Sequence, residues 1–373
     1  MKKLFLGLGI AFLLIGCQQQ ETSKNSSQGP LQIGGLAPLT GDLASLGTQT
    51  KNLGNLYAKK INAEGGIHGR NLEIIWEDGK CNPGDAAKAT QKLVNIDKVS
   101  IIFGGNCSGE TLGAAPITEK KEVILFSSIS TSPEITKAGD FVFRNAPSDS
   151  SQGKILAEYV NENFEKVGIL TQQTDYAVGV GNTFKEHFSG EFIEESFLDN
   201  ESDFKTRITK LKGENLDALF INSNSPQKFE IIVKQLQEQN WSKPIFLNEI
   251  SSNAESARKY SDFLTEVGTV GVNFLPPKSE ELKNTLQEYT DKFGHEAPYE
   301  SYLAATIDGM KIIAQVLQEV DDPNDTKAIR DALYNTQNFS GLFGTYSFDE
   351  NGDVNISHQL LSFDGENFIP LQE

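Results

Sequence analysis

The chain has 373 residues, of which 38% are hydrophobic and 23% charged, and its formal net charge is −18. Such a length and composition fit two globular domains, each able to bury a core. The acidic balance, without a basic cluster beyond the first residues, excludes nucleic acid and anionic lipid as partners of the folded body.

The opening MKKLFLGLGIAFLLIGC places Lys2 and Lys3 before an uncharged apolar run, Leu4 to Ile15, and closes on Leu14-Ile15-Gly16-Cys17. A basic start before a short apolar run is a secretory signal, and the run is shorter than the roughly 20 residues a spanning helix needs. Its last four residues resemble a bacterial lipobox, which implies cleavage before Cys17 and a lipid on that sulfur. Residues 1–17 are therefore expected to be a lipoprotein signal peptide, and 18–30, rich in Gln, Ser and Asn, a flexible tether. The body would lie outside the cytoplasm, held to a membrane face by lipid alone. With Cys17 so used, Cys81 and Cys107 form an even pair. In an oxidising compartment such a pair reads first as a disulfide, worth roughly 3 kcal/mol in the chain-entropy model. His68, His187, His295 and His358 are scattered, none at metal-ligand spacing from a cysteine, so no metal or other cofactor is expected.

From Leu31 strands and helices alternate. LQIGGLAP predicts a strand and 48–63 a helix closed by Gly65-Gly66. NLEIIWED is followed by a helix over 85–95, VSIIFGG by one over 108–119, and EVILFSS by FVFRNAP. The rhythm repeats with a helix over 150–163, the strand KVGIL, a helix over 178–188 and the strands EFIEESF, DALFIN and KPIFLNE, with helices over 204–211 and 226–239 between them. Short apolar strands alternating with helices predict two parallel sheets covered on both faces, hence two lobes. Helices over 280–293, 302–319 and 326–336 suggest a return to the first lobe, before a hairpin-rich tail with turns at Asn351-Gly352 and Asp364-Gly365.

The densest motif is GNCSG at 105–109, between a strand and a helix. Three readings stay open: a nucleophile elbow presenting Cys107, a tight turn with Ser108 as helix cap, or an anion site at the helix N-terminus. The last two are compatible. SSISTSPEIT at 127–136 also follows a strand; Ser132 reads as a cap, while Ser130 and Thr131 face the crevice where α/β folds bind ligands. GVGNTF after Tyr176 falls short of a dinucleotide fingerprint and reads as a helix start with an exposed Tyr176. Glu249 ends KPIFLNE as either a crevice acid or a solvated loop acid. The DENGD run lacks the glycine and glutamate of a calcium loop and reads as a hairpin turn.

From about Leu31 to its end, the chain resembles the leucine/isoleucine/valine-binding proteins of branched-chain amino acid ABC transporters. The likeness rests on GLAPLTGDLASLG, INAEGGIHGRNLEIIWED, CNPGDAAKA, the Cys107-Ser108 turn, DSSQG at 149–153 and FDENGD. It implies a two-lobe type I periplasmic binding fold with a three-stranded hinge near Asn145–Pro147, Val272–Phe274 and Gly344–Thr345. Lobe 1 would hold 31–146 and 274–344, and lobe 2 147–273 and 345–373. The resemblance also implies a Cys81–Cys107 disulfide. Ser108 and Thr131 would hold a ligand carboxylate, the Ile129 carbonyl and Glu249 its ammonium, and Tyr176 would close over it from the second lobe. The family's second-lobe aromatic falls on Asn224, Leu46 is an aliphatic pocket residue, and Tyr299 with Glu300 would line the wall. The expected function is a monomeric, non-enzymatic receptor that captures an amino acid and delivers it to an ABC permease. The alternatives are a same-fold receptor for an amide, urea or aromatic acid, a sensor subunit, and a cysteine hydrolase using Cys107.

Overall fold

The computed structural model describes Met1 and residues 29–371. The signal, Cys17 and most of the tether lie outside the described residues. No helix among the described residues is long and apolar enough to cross a membrane.

The first sheet holds β1 (Leu31–Ala37), β2 (Leu72–Asp78), β3 (Ile101–Gly104), β4 (Ile124–Ser127) and β5 (Val142–Arg144), all parallel in the order β2-β1-β3-β4-β5. Its crossovers include α1 (Ala44–Ala63), α2 (Pro83–Lys92) and α3 (Ser108–Lys121). The next half of the chain repeats this plan. α4 (Asp149–Asn161) leads into β6 (Lys166–Gln172), then α5 (Asp175–His187), β7 (Glu191–Phe197), α6 (Lys205–Lys212), β8 (Ala218–Asn222), α7 (Pro226–Glu238), β9 (Ile245–Leu247), α8 (Ala254–Arg258), α9 (Ser261–Val267) and β10 (Thr269–Asn273). The chain then returns through α10 (Glu280–Phe293), α11 (Glu300–Glu319) and α12 (Thr326–Tyr334) to a hairpin, β11 (Phe339–Gly341) and β12 (Gly344–Tyr346), and ends on β13 (Gln359–Phe363) and β14 (Phe368–Pro370). The second sheet runs β7-β6-β8-β9-β10-β13-β14. Its first five strands repeat the order of the first sheet. The expectation of a purely parallel second sheet needs correction, because the tail adds β13 and β14 antiparallel to its edge.

Why these segments become central strands is visible in their alternation. Ile101, Phe103, Ile124, Phe126 and Phe143 enter one core with Met310, Ile313 and Leu317 of α11. The intervening Ile102, Leu125 and Val142 enter another with Ala86, Ala114 and Ala115 of α2 and α3. Successive side chains point to opposite faces, so a strand covered on both faces must be apolar throughout. In the second sheet Ile169, Phe220 and Phe246 face one core, and Leu170, Leu219, Ile221, Ile245 and Leu247 the other. α7 buries Phe229, Ile232, Val233 and Leu236, a helical stripe at spacings of three and four. α11 is buried nearly all round, because α1, α10 and the first sheet enclose it.

The tail stays with the first lobe longer than the expected boundary at Gly344–Thr345. Tyr346, Phe348 and Val354 belong to the first core, and the Phe348 ring meets those of Phe126 and Phe143 edge-on. Buried Asp308 accepts from the Leu342 and Phe343 N–H groups and the Tyr346 hydroxyl. Buried Arg144 forks onto Asp353 at 2.6 and 2.8 Å. These bonds hold residues 339–354 on lobe 1, and the chain joins the second sheet only at Gln359. The DENGD run is a turn: Asp349 Oδ1 accepts from the Asn351 and Asp353 N–H groups.

Candidate functional site

In both sheets the chain reverses its winding beside the first strand, β1 with β3 and β6 with β8. At such a switch point the loops leaving the strand ends diverge and open a crevice. Here the two crevices face each other. The loops after β1, β3 and β4 bring Leu43, Ser108, Ile129 and Thr131; those after β6, β8 and β9 bring Tyr176, Asn224 and Ile250.

The space between the lobes has a waist and two mouths. The waist is a cavity of about 20 Å³ lined by Leu43, Leu46, Asn106, Ser108, Ile129, Thr131, Tyr176, Asn224, Ile250 and Tyr302, with Cys107. One mouth, about 500 Å³, continues past Ser108, Tyr176 and Asn224 to Lys80, Asp175 and Asp199. The other, about 690 Å³, continues past Ile250 and Tyr302 to Glu249, Arg258, Tyr299 and Glu300. The lobes are closed on each other: Asn224 Nδ2 lies 3.6 Å from Cys81 Sγ across the gap. A Cβ on Gly179 of α5 would stand 2.9 Å from Pro133 Cδ and 3.1 Å from Ser132 Oγ. Gly179→Leu should therefore prop the lobes apart, raising Kd for whatever ligand needs the closed form by about 5- to 100-fold while leaving thermal stability of the ligand-free protein little changed. Calorimetric titration paired with solution scattering would check both parts.

Six of the nine expected ligand residues, Leu46, Ser108, Ile129, Thr131, Tyr176 and Asn224, meet at the waist. Tyr176 is buried rather than exposed, because the helix start that carries it is pressed against lobe 1, and its hydroxyl accepts from Ile250 N–H at 3.4 Å. Ser108 is not the helix cap; Cys107 precedes the helix and Ser108 is its first residue. Its hydroxyl accepts from Ser132 N–H at 3.1 Å, leaving its own proton to donate. Ser132 precedes a short 3-10 turn without capping it, and its hydroxyl is buried without a partner. Ser130 does not reach the waist: its hydroxyl is spent on the Gly105 carbonyl and pairs with Thr111 Oγ1. Tyr299 stands at the larger mouth, its backbone held on both sides by Gln49.

Glu249 is buried, so it is not a solvated loop acid. Burial pushes its carboxyl up to about 8, and the Tyr302 hydroxyl pulls the other way. Around it stand two residues whose chemistry the sequence did not announce. Asp149, Glu249 and His358 each offer a ligand atom within 4.8 Å of the others. Burial raises the Asp149 carboxyl to about 7, opposed by the nearby His358. It lowers the His358 imidazole to about 4. Two carboxylates and an imidazole could in principle ligate a divalent ion. Asp149, however, already accepts from Gln152 Nε2 at 2.6 Å and from the Thr131 hydroxyl at 2.8 Å. Only Glu249 Oε2 and His358 Nε2 are left without partners. Asp149 opened the DSSQG motif, which the resemblance flagged without a role. His358 had no signal at all, since its partners lie in distant segments. Tyr302 was legible only as the start of an apolar helix.

Cys107 is bonded to Cys81. A disulfide sulfur is not a thiolate, so the cysteine-hydrolase alternative has no nucleophile. Buried Glu110 organises this corner, accepting from the N–H groups of Cys81, Asn106 and Cys107. Burial raises its carboxyl to about 7 against those bonds.

The pattern of the family described as periplasmic binding protein matches residues 30–363. The Leu/Ile/Val-binding protein BraC3 of Rhizobium johnstonii is 24% identical over 332 residues, 87% of this chain and 89% of the relative. Among solved structures, the branched-chain amino acid transporter substrate binding protein LivJ of Streptococcus pneumoniae, in complex with isoleucine, superposes with a TM-score of 0.80 at 28% identity, covering 92% of this chain and all of that one (100%). A solute binding protein of an ABC transporter from Rhodopseudomonas palustris, in complex with 3,4-dihydroxybenzoic acid, gives a TM-score of 0.76 at 21% identity, covering 92% of this chain and 96% of that one; it shares the fold.

Proposed function

The chain belongs to the periplasmic binding protein family, and from that premise we propose that it captures a free α-amino acid between its lobes and delivers it to an ABC permease. The observation that carries the reading is the buried, half-satisfied Glu249 beside the waist. A carboxyl in that position needs a cation or a proton, and an ammonium group supplies the cation. Ser108, at the first turn of α3, has a hydroxyl proton free for the ligand carboxylate, and helix N-termini favour anions. An aromatic acid without an amine would make no use of Glu249, which favours the amino acid over that alternative.

In this reading the protein works outside the cytoplasm as a monomer anchored through a lipid on Cys17, with 31–146 and 274–357 forming one lobe and 147–273 and 358–371 the other. Ligand contacts to both lobes favour the closed form. The experiment is a thermal-shift screen of a fragment from residue 29 onward against the twenty amino acids, urea, short amides and small aromatic acids. The expected result is a rise in Tm with one or a few amino acids, because a ligand that binds only the native state stabilises it by mass action. A rise confined to ligands without an α-ammonium would overturn the amino-acid reading.

A further inference from the structure

The cluster behind the waist joins His358, Glu249 and Ser151 in a chain of contacts that has too few hydrogens for its acceptors. Ser151 Oγ lies 2.9 Å from the Ser148 carbonyl and 2.5 Å from His358 Nδ1. A carbonyl can only accept, so with the single hydroxyl hydrogen of Ser151 on it, Nδ1 carries the hydrogen of the second bond; the opposite tautomer would send that hydrogen to Nδ1 and leave the Ser148 carbonyl with the Ser151 N–H alone. With Nδ1 protonated in the neutral ring, Nε2 is a bare acceptor. That lone pair faces Glu249 Oε2 at 3.7 Å, and neither atom has any other partner. Two buried acceptors facing each other are unfavourable unless one proton lies between them. Both Asp149 oxygens are engaged, by Gln152 Nε2 and the Thr131 hydroxyl.

Resting on the amino-acid reading above, we propose that His358 is a positioning residue that takes the Glu249 proton when the ligand's ammonium arrives. In the ligand-free protein Glu249 is a neutral acid whose Oε2–H is aimed at His358 Nε2 across 3.7 Å, a gap that must shorten by about 1 Å for the proton to pass. When the ammonium pairs with Glu249, the Oε2–H bond breaks, an Nε2–H bond forms, and the carboxylate is left between two cations. The proton stays in the protein. The other groups facing the pair fit this exchange: Asp149 on α4, its carboxyl raised to about 7 by burial, supplies the negative charge that an imidazolium needs once it is ionised, and the hydroxyls of Tyr176 on α5 and Tyr302 on α11 stay neutral, both held well above their usual range by burial. Arg144 on β5 opposes a charged ring, but its own charge is matched by Asp353.

Two measurements test this. In ligand-free protein, ¹⁵N NMR of the His358 ring should find Nδ1 protonated and Nε2 accepting, between pH 6 and 8. The opposite tautomer would overturn the proposal whether or not an amino acid is the ligand. The second uses calorimetric titration with L-isoleucine, or with the amino acid giving the largest shift in the screen, in phosphate and Tris. Wild type should release close to no net protons, with Kd flat from pH 6 to 8. In His358→Gln, and in His358→Phe as a second variant, Glu249 must lose its proton to solvent. Release should approach one proton, and Kd should fall up to 10-fold per pH unit as pH rises. A uniform loss of affinity in the variants with no new pH slope would mean that His358 only packs, and would overturn the proposal. If no amino acid binds, the amino-acid reading fails and the NMR result alone decides the tautomer.

Discussion

Glu249→Gln should abolish amino-acid binding while making the ligand-free protein more stable at alkaline pH. The loss follows from charge: the ligand's ammonium would enter a buried site with no anion within reach except Asp149, whose oxygens are already engaged by Thr131 and Gln152. Removing one partner of a buried charge pair costs about 2–5 kcal/mol, a factor of roughly 30 to 5000 in Kd. The gain follows from linkage. Glu249 titrates near 8 in the folded protein against an ordinary value of 4.5. A raised carboxyl pKa means that the native state keeps a proton the unfolded chain has lost. Stability is then full below the unfolded value and falls as pH rises between about 4.5 and 8. Glutamine has the same shape, keeps a donor for His358 Nε2 and does not ionise. The variant should therefore recover stability on the order of a few kcal/mol at pH 8 and almost none at pH 4. Thermal melts of both proteins at the two pH values, with and without the amino acid, check both halves. A variant less stable than wild type at pH 8 would mean that Glu249 is ionised and satisfied in the ligand-free state.

The two outcomes together describe a binding site held ready at a cost in stability. Keeping buried Glu249 protonated above its ordinary range is unfavourable for the free protein, and the ligand's ammonium removes that penalty on binding. That pattern separates a ligand site from a structural acid such as Glu110, whose three backbone donors leave it nothing to offer a ligand.

What the amino-acid sequence made legible divides along physical lines. The strands β1 to β9 were readable because most are short, apolar and followed by a helix start, whereas β10, β13 and β14 were not named as strands. The helix at Pro226 could be placed to its first residue because Ser225 caps it and proline suits its first turn. α8 and α9 were missed; they have five and seven residues, too few to show a period. The tail was assigned to the wrong lobe from Thr345 because what holds it, the Arg144–Asp353 pair and the Phe348 ring, depends on residues 200 positions apart (209 between Arg144 and Asp353). In the site, Ser108, Thr131, Tyr176 and Asn224 could be nominated because strand ends, helix starts and a family likeness all pointed to them. His358 could not, because a histidine's role is set by the atoms around it. Ser151 and Glu249, which define those atoms, come from α4 and the loop after β9.

The pair that corrects the tail also supports the largest stability prediction. Arg144 is fully buried. Its guanidinium donates to both oxygens of Asp353, to Thr136 Oγ1 at 2.8 Å and to the Ser132 carbonyl at 2.7 Å. Asp353→Ala would leave that charge buried without a counter-ion, at about 3–5 kcal/mol. Replacing both residues with apolar ones, Arg144→Met with Asp353→Leu, should recover most of the loss, because a well-packed apolar pair avoids desolvating either charge. The molecule offers a reporter for each lobe: Trp76 packs on the first core and Trp241 in the second. In the Trp241→Phe background, denaturant unfolding of Asp353→Ala should lose the full amount; in the Trp76→Phe background the shift should be smaller, since the break lies in lobe 1. Equal shifts would mean that the lobes unfold as one unit, and no shift in either would mean that solvent reaches Arg144. Ligand affinity should fall as well. The Arg144 bond to Ser132 anchors the segment that carries Ile129 and Thr131, and an arginine without its aspartate would disfavour a charged His358. Asp353→Ala should therefore weaken binding more than its distance from the waist suggests, and the double apolar variant should restore stability further than it restores affinity.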